Sequence, residues 1–102
     1  MRRLTTILAL LCLLPLVGAA RPAVVVMKDL AFSPTVIAVQ AGTTVTWQNK
    51  DTRDYNVTAA DGSFASGSIP PGGTFSHTFS AAGTFAYGSS LHPRMRATVV
   101  VK

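Results

Sequence analysis

Ala41-Gly42-Thr43-Thr44-Val45-Thr46-Trp47-Gln48-Asn49-Lys50-Asp51 is the stretch on which the fold turns. Ala41-Gly42 reverses the chain, and from Thr43 the polarity alternates, with Val45 and Trp47 on one side and Thr44, Thr46 and Gln48 on the other. A two-residue period is the spacing of a half-buried strand, so Trp47 is expected in the core. The polar segment Lys50 to Asp54 reads as a loop.

The same grammar continues on both sides. Upstream, Ala23 to Lys28 predicts a first strand and Thr35 to Gln40 a second, with Ile37 and Val39 on one face. Downstream come a short strand around Tyr55 to Thr58, the turn signal Asp61-Gly62 and the break Pro70-Pro71-Gly72-Gly73. Thr74 to Ser80 puts Phe75, His77 and Phe79 on one face, and Ala82-Gly83 turns into a strand from Thr84 to Gly88 carrying Phe85 and Tyr87. After a loop from Ser89 to Arg94, the last strand runs from about Met95 to Lys102 with Ala97, Val99 and Val101 together. No segment reads as a helix. Seven to eight short strands punctuated this way predict an all-β, antiparallel Greek-key sandwich or barrel.

The chain opens with Met1-Arg2-Arg3, an apolar run from Leu4 to Val17, and Gly18-Ala19-Ala20, the order of a secretory signal peptide. The expected domains are therefore a signal peptide over residues 1–20, cleaved after Ala20, and one folded domain over 21–102, periplasmic or secreted. The apolar run falls short of the roughly 20 residues a membrane-spanning helix needs, so no membrane attachment is expected once the signal is removed. The only cysteine, Cys12, lies in that run, which leaves the exported domain with no thiol and no disulfide. After residue 20, seven basic side chains face four aspartates, a net charge of +3, against +5 for the whole chain. These charges are scattered, without the basic stripe or interleaved aromatic platform of a nucleic-acid binder, and nucleic acid is discounted as a partner.

Phe32-Ser33-Pro34, the Ala41 to Asp51 stretch, Asp61-Gly62-Ser63-Phe64, Pro71-Gly72-Gly73-Thr74-Phe75, Gly83-Thr84-Phe85-Ala86-Tyr87 and His92-Pro93-Arg94-Met95 follow one another in an order and spacing that resembles the cupredoxins, above all the plastocyanin-like and amicyanin-like members. The resemblance implies a copper site at one pole, held by a His after the tryptophan strand and by a Cys, a His and a Met from the last loop. Soft thiolate, two imidazoles and a weak axial thioether suit both copper oxidation states. Matched residue by residue, the resemblance puts Ser89 at the Cys position, His92 at the second His, Met95 at the Met and Tyr55 at the first His. It also gives Asn56 the role of tying the two site loops together. A neutral serine hydroxyl is a hard, poor copper donor, so no tightly bound cofactor is expected, and weak copper binding through His92 and Met95, with Tyr55 as a third oxygen ligand, stays open.

Plain structural readings compete with these. Met95 reads equally as core or rim filling, and His92 as an exposed loop contact rather than a ligand. His77 reads as a hydrogen-bonded structural histidine between two phenylalanines. Asn56-Val57-Thr58 fits a glycosylation acceptor, but it falls in a strand and is read as structural. Ser89 and His92 lack an orienting acid and identifiable oxyanion donors, so no enzyme is expected. The favoured reading is a monomeric interaction module. Its contact surface lies around Leu91, Pro93 and Met95, rimmed by Arg53 and Arg94, and faces an acidic periplasmic protein. A copper-handling protein and an ordinary electron carrier are the alternatives.

Overall fold

The structure is a computed structural model that describes residues 22–102, so the expected signal peptide lies outside the described residues. Eight strands follow in order: β1 (Ala23–Lys28), β2 (Ala31–Ser33), β3 (Val36–Val39), β4 (Thr43–Asn49), β5 (Thr58–Ala59), β6 (Thr74–Phe79), β7 (Gly83–Gly88) and β8 (Arg96–Val101). One sheet has the order β2-β1-β4-β6 and the other β3-β8-β7-β5. The expected all-β sandwich is present.

Its sheets are mixed rather than wholly antiparallel, because β1 runs parallel to β4 and β3 parallel to β8. A period of two residues places a side chain on a face but is silent about which strand lies alongside and in which direction. The expected strand over 35–40 is shorter, and a separate short strand, β2, precedes it. The strand expected from Tyr55 shrinks to Thr58–Ala59, with Tyr55 making only an isolated bridge to Ile69.

β4 behaves as its alternation requires: Thr43, Val45, Trp47 and Asn49 are buried. Val25, Trp47 and Phe75 lie side by side across three strands, and β-branched residues dominate β1 and β8, where a pleated, half-buried surface suits them. Trp47 is fully buried. Its ring meets Phe75, Phe64 and Phe79 at centroid distances of 5.7, 5.9 and 6.4 Å, and Tyr87 edge-on at 5.3 Å. His77 stacks on Phe64 at 4.6 Å with its edge to Phe79. Ring stacking replaces the hydrogen bond expected of it, since none reaches its side chain among the described residues.

The parallel pairing decides where the loops go. Because β1 and β4 run the same way, with Met27 opposite Asn49, the β1–β2 turn and the loop after β4 leave the sheet at one end. The β7–β8 loop joins them there, as the contact between the Tyr55 and His92 rings shows.

Candidate functional site

Two buried asparagines build this pole. Asn49, 1% exposed at the end of β4, donates from Nδ2 to the carbonyls of Arg53 and Ile69 at 2.8 and 2.9 Å and accepts the Asp51 N–H at 2.9 Å. A buried asparagine with its donors and acceptor paired in this way fixes the path of loop 50–54. Asn56 does the same between loops. Its Oδ1 accepts the Ser89 hydroxyl at 2.5 Å and the Leu91 N–H at 3.2 Å, and its Nδ2 donates to Ser90 Oγ at 2.6 Å. These contacts join the Tyr55 segment to the 89–95 loop.

Ser89 is 4% exposed, and its oxygen is enclosed by hydrogen bonds, donating to Asn56 and accepting the His92 N–H at 3.2 Å. The loop closes on itself through Met95 N–H to the His92 carbonyl at 2.9 Å and Ser89 N–H to the Met95 carbonyl at 3.3 Å. Gly88 permits that closure, since a Cβ there would stand 2.7 Å from the Met95 carbonyl oxygen. Nothing in the sequence beyond a glycine at a strand end signals this.

Tyr55 is fully buried, and its hydroxyl is engaged in two hydrogen bonds. It donates to Asp51 Oδ2 at 2.5 Å and accepts the Leu30 N–H at 3.0 Å. Burial first, and the Asp51 hydrogen bond second, push its phenol above the usual tyrosine range, which works against a tyrosinate ligand. Asp51 in turn accepts the N–H groups of Thr52 and Asp29 at 2.7 and 2.9 Å and pairs with Arg53 at 3.6 Å. The Tyr55 hydroxyl, with these N–H donors, holds the carboxyl well below the usual carboxylate range. Asp51 read as an ordinary loop residue in the sequence. Only its neighbour Thr52, whose N–H a preceding Asp can bind, hinted at more.

His92 packs its ring against Tyr55 at 5.1 Å, and its Nε2 is 2.9 Å from the Asp54 carbonyl oxygen. A carbonyl only accepts, so Nε2 carries the proton and a neutral ring keeps its free lone pair on Nδ1. Met95 is 3% exposed and fills the core beneath the pole, the plainer of its two readings, so it adds nothing to the outer surface where it was expected beside Leu91 and Pro93. Leu91 is 50% exposed, Pro93 and Arg94 are exposed, and the Arg53 side chain is 49% exposed.

This donor set does not fit a thiolate-copper centre. No cysteine occurs among residues 21–102, the Ser89 and Tyr55 oxygens are neutral and engaged, and one imidazole nitrogen and one thioether remain. Among the described residues, no group of three or more His, Cys, Asp or Glu is gathered to hold a metal ion.

The comparisons with known proteins meet at the same family. A purple cupredoxin from Nitrosopumilus maritimus is 28% identical, with 78% of this chain and 99% of that one aligned at a TM-score of 0.73. An oxidised methionine-to-leucine mutant of amicyanin is 29% identical over 78% of this chain and 81% of its own, at 0.75. A copper-containing nitrite reductase from Thermus scotoductus SA-01 is 25% identical over 80% of this chain, which spans only 22% of that larger protein, at 0.75. The family model described as the cupredoxin-like domain matches residues 4–101, and the chain belongs to that family.

Proposed function

We propose that this chain is an exported cupredoxin-type interaction module rather than a blue-copper electron carrier or an enzyme, its copper site being degenerate at the positions of Ser89 and Tyr55. The observation that supports it is the buried Ser89 hydroxyl, at the position the resemblance gives to the thiolate, sealed by Asn56 and the His92 N–H. The scaffold around it is intact, and the exposed Leu91 and Pro93 with Arg53 and Arg94 form a contact surface for an acidic periplasmic protein. Fold kinship by itself carries no activity from one protein to another when the site residues differ.

The decisive experiment restores the ligands. Ser89→Cys with Tyr55→His supplies a thiolate and a second imidazole beside His92 and Met95, and adding Cu(II) should then produce an intense visible charge-transfer band that the wild type lacks. An intense band in the wild type would overturn the proposal, and a folded, copper-loaded double variant without one would overturn the placement of the ligand positions. The free Nδ1 of His92 favours one second reading, capture of copper by His92 and Met95. Equilibrium dialysis with Cu(I) and Cu(II) tests it, binding tighter than about micromolar being required of a copper handler.

A further inference from the structure

The edges of the two sheets are unequal. β2, β3 and β5 are three, four and two residues long, whereas β6, the outer strand beside β4, runs six residues from Thr74 to Phe79. Edge strands carry unpaired N–H and C=O groups, and proteins blunt them with shortness, charge, proline or a bulge. β6 has none of these. Thr74-Phe75-Ser76-His77-Thr78-Phe79 contains no proline and no Asp, Glu, Lys or Arg, and its register with β4 is unbroken from Gln48 opposite Thr74 to Thr43 opposite Phe79. The flanking chain adds no charge either, since Asp, Glu, Lys and Arg are all absent from Gly62 to Pro93.

The direction of the backbone places the free groups. Asn49 N–H donates to the Gly73 carbonyl at 2.9 Å, so by the alternation of an antiparallel ladder Phe75 and His77 turn their N–H and C=O towards β4. Those of Thr74, Ser76 and Thr78 turn outward. The side chains agree, because the Thr44 and Thr78 hydroxyls lie 2.7 Å apart and those of Thr46 and Ser76 2.8 Å apart, the close approach of non-hydrogen-bonded pairs. Among the described residues, no backbone hydrogen bond from outside the strand ladders reaches Thr74, Ser76 or Thr78.

We propose that β6 pairs antiparallel with β6 of a second copy of this chain, about a two-fold axis at Ser76, so that the protein is a dimer where its sequence led to the expectation of a monomer. The strand is self-complementary about that residue. Ser76 meets the second copy's Ser76 and Thr74 meets its Thr78, which sets every outward-facing residue opposite another. Phe75 meets the second copy's His77 in the positions where side chains come closest, and these two half-buried rings gain aromatic neighbours. The outer face repeats the hydroxyl pairs already formed with β4. A slip of one residue would set outward groups against inward ones. An acidic or basic partner strand finds no charge here to answer, which favours a second copy as the occupant. The pair directs its two poles in opposite directions, and it stands whether or not the pole is a docking surface.

Sedimentation velocity from roughly 10 μM to 1 mM should show the mass rise from one copy to two, with a Kd on the order of 0.1 mM, the weak end that suits a short edge contact. Ser76→Lys sets like charges directly opposite across the axis, yet the position is exposed in the single copy, so association should weaken about tenfold or more with the circular dichroism unchanged. Ser76→Glu should do the same, and an equimolar mixture of the two variants should dimerise again. In the wild type, raising the concentration should slow hydrogen exchange at the Ser76 and Thr78 amides and leave those of Phe75 and His77, already bonded to β4, unchanged. A wild type that stays monomeric at about 1 mM overturns the proposal, as does growth past the dimer, because a two-fold contact uses up the edge. Dimerisation untouched by both variants overturns β6 as the contact. Loss in both without recovery on mixing overturns the register at Ser76.

Discussion

The interior between the sheets and the pole above it treat buried polar atoms in opposite ways. Between the sheets, Trp47 Nε1 and Tyr87 OH are buried without hydrogen-bond partners among the described residues, in rings packed edge to face. At the pole, the side chains of Asn49, Asn56, Ser89 and Tyr55 are buried and all of them are bonded. The interior is therefore specified by apolar shape, and the hydroxyl of Tyr87 is a passenger on a ring that packs. The pole is specified by directed hydrogen bonds, and there the hydroxyl of Tyr55 is structural.

Deleting one hydroxyl from each tyrosine gives the sharpest contrast. Tyr55→Phe leaves the Leu30 N–H without its acceptor and takes from Asp51 one of its three donors, and should cost about 1.5–3 kcal/mol in urea unfolding, the range for breaking a hydrogen bond that involves a charged group. A smaller effect is expected from Ser89→Ala, about 1–2 kcal/mol, because it frees only the part-buried His92 N–H while the Asn56 Oδ1 it abandons still holds the Leu91 N–H. Tyr87→Phe should be neutral or stabilising by up to about 1 kcal/mol, since it removes a buried hydroxyl that has no partner. If Tyr55→Phe and Tyr87→Phe moved stability in the same direction and by similar amounts, the distinction between the two regions would collapse.

The least effect at neutral pH, and a visible one at the extremes, concerns titration. Burial pushes the Tyr87 phenol up to about 12. A raised pKa means that its contribution to folding is intact below the ordinary tyrosine value of about 10 and is lost as pH climbs from there through about 12. Tyr87→Phe should flatten that alkaline limb. Asp51 has the opposite sign, with its stabilisation present above the ordinary carboxylate value of about 3.9 and declining as pH falls below it. Asp51→Asn should flatten the acid limb of a thermal melt followed against pH, and an unaltered limb would remove Asp51 from its central place at the pole.

The two regions also differ in how far they could be read from the residues in order. Val45 and Trp47 announced themselves by alternation, because burial of one sheet face is written locally, every second residue. The tie through Asn56 was available from the resemblance, and its hydrogen bonds to Ser89, Ser90 and Leu91 span 33 to 35 positions. What the order of residues did not disclose was the use of Tyr55. Its partners are Asp51, four residues away, and Leu30, twenty-five away across a turn whose Asp-Leu sequence carries no hairpin signal. The parallel pairing of β1 with β4 was hidden for the same reason, as it joins segments about twenty residues apart through a connection that visits the other sheet.

That pairing pattern governs when the domain can exist. β8 lies between β3 and β7, and β3 has no other neighbour in its sheet, so sheet closure waits for residues 96–101 to arrive. A chain lacking those residues holds β3 and β7 with nothing between them. It can form hairpins but not the sandwich. Closure of that sheet therefore depends on the last strand of the domain, the one farthest along the chain from β3.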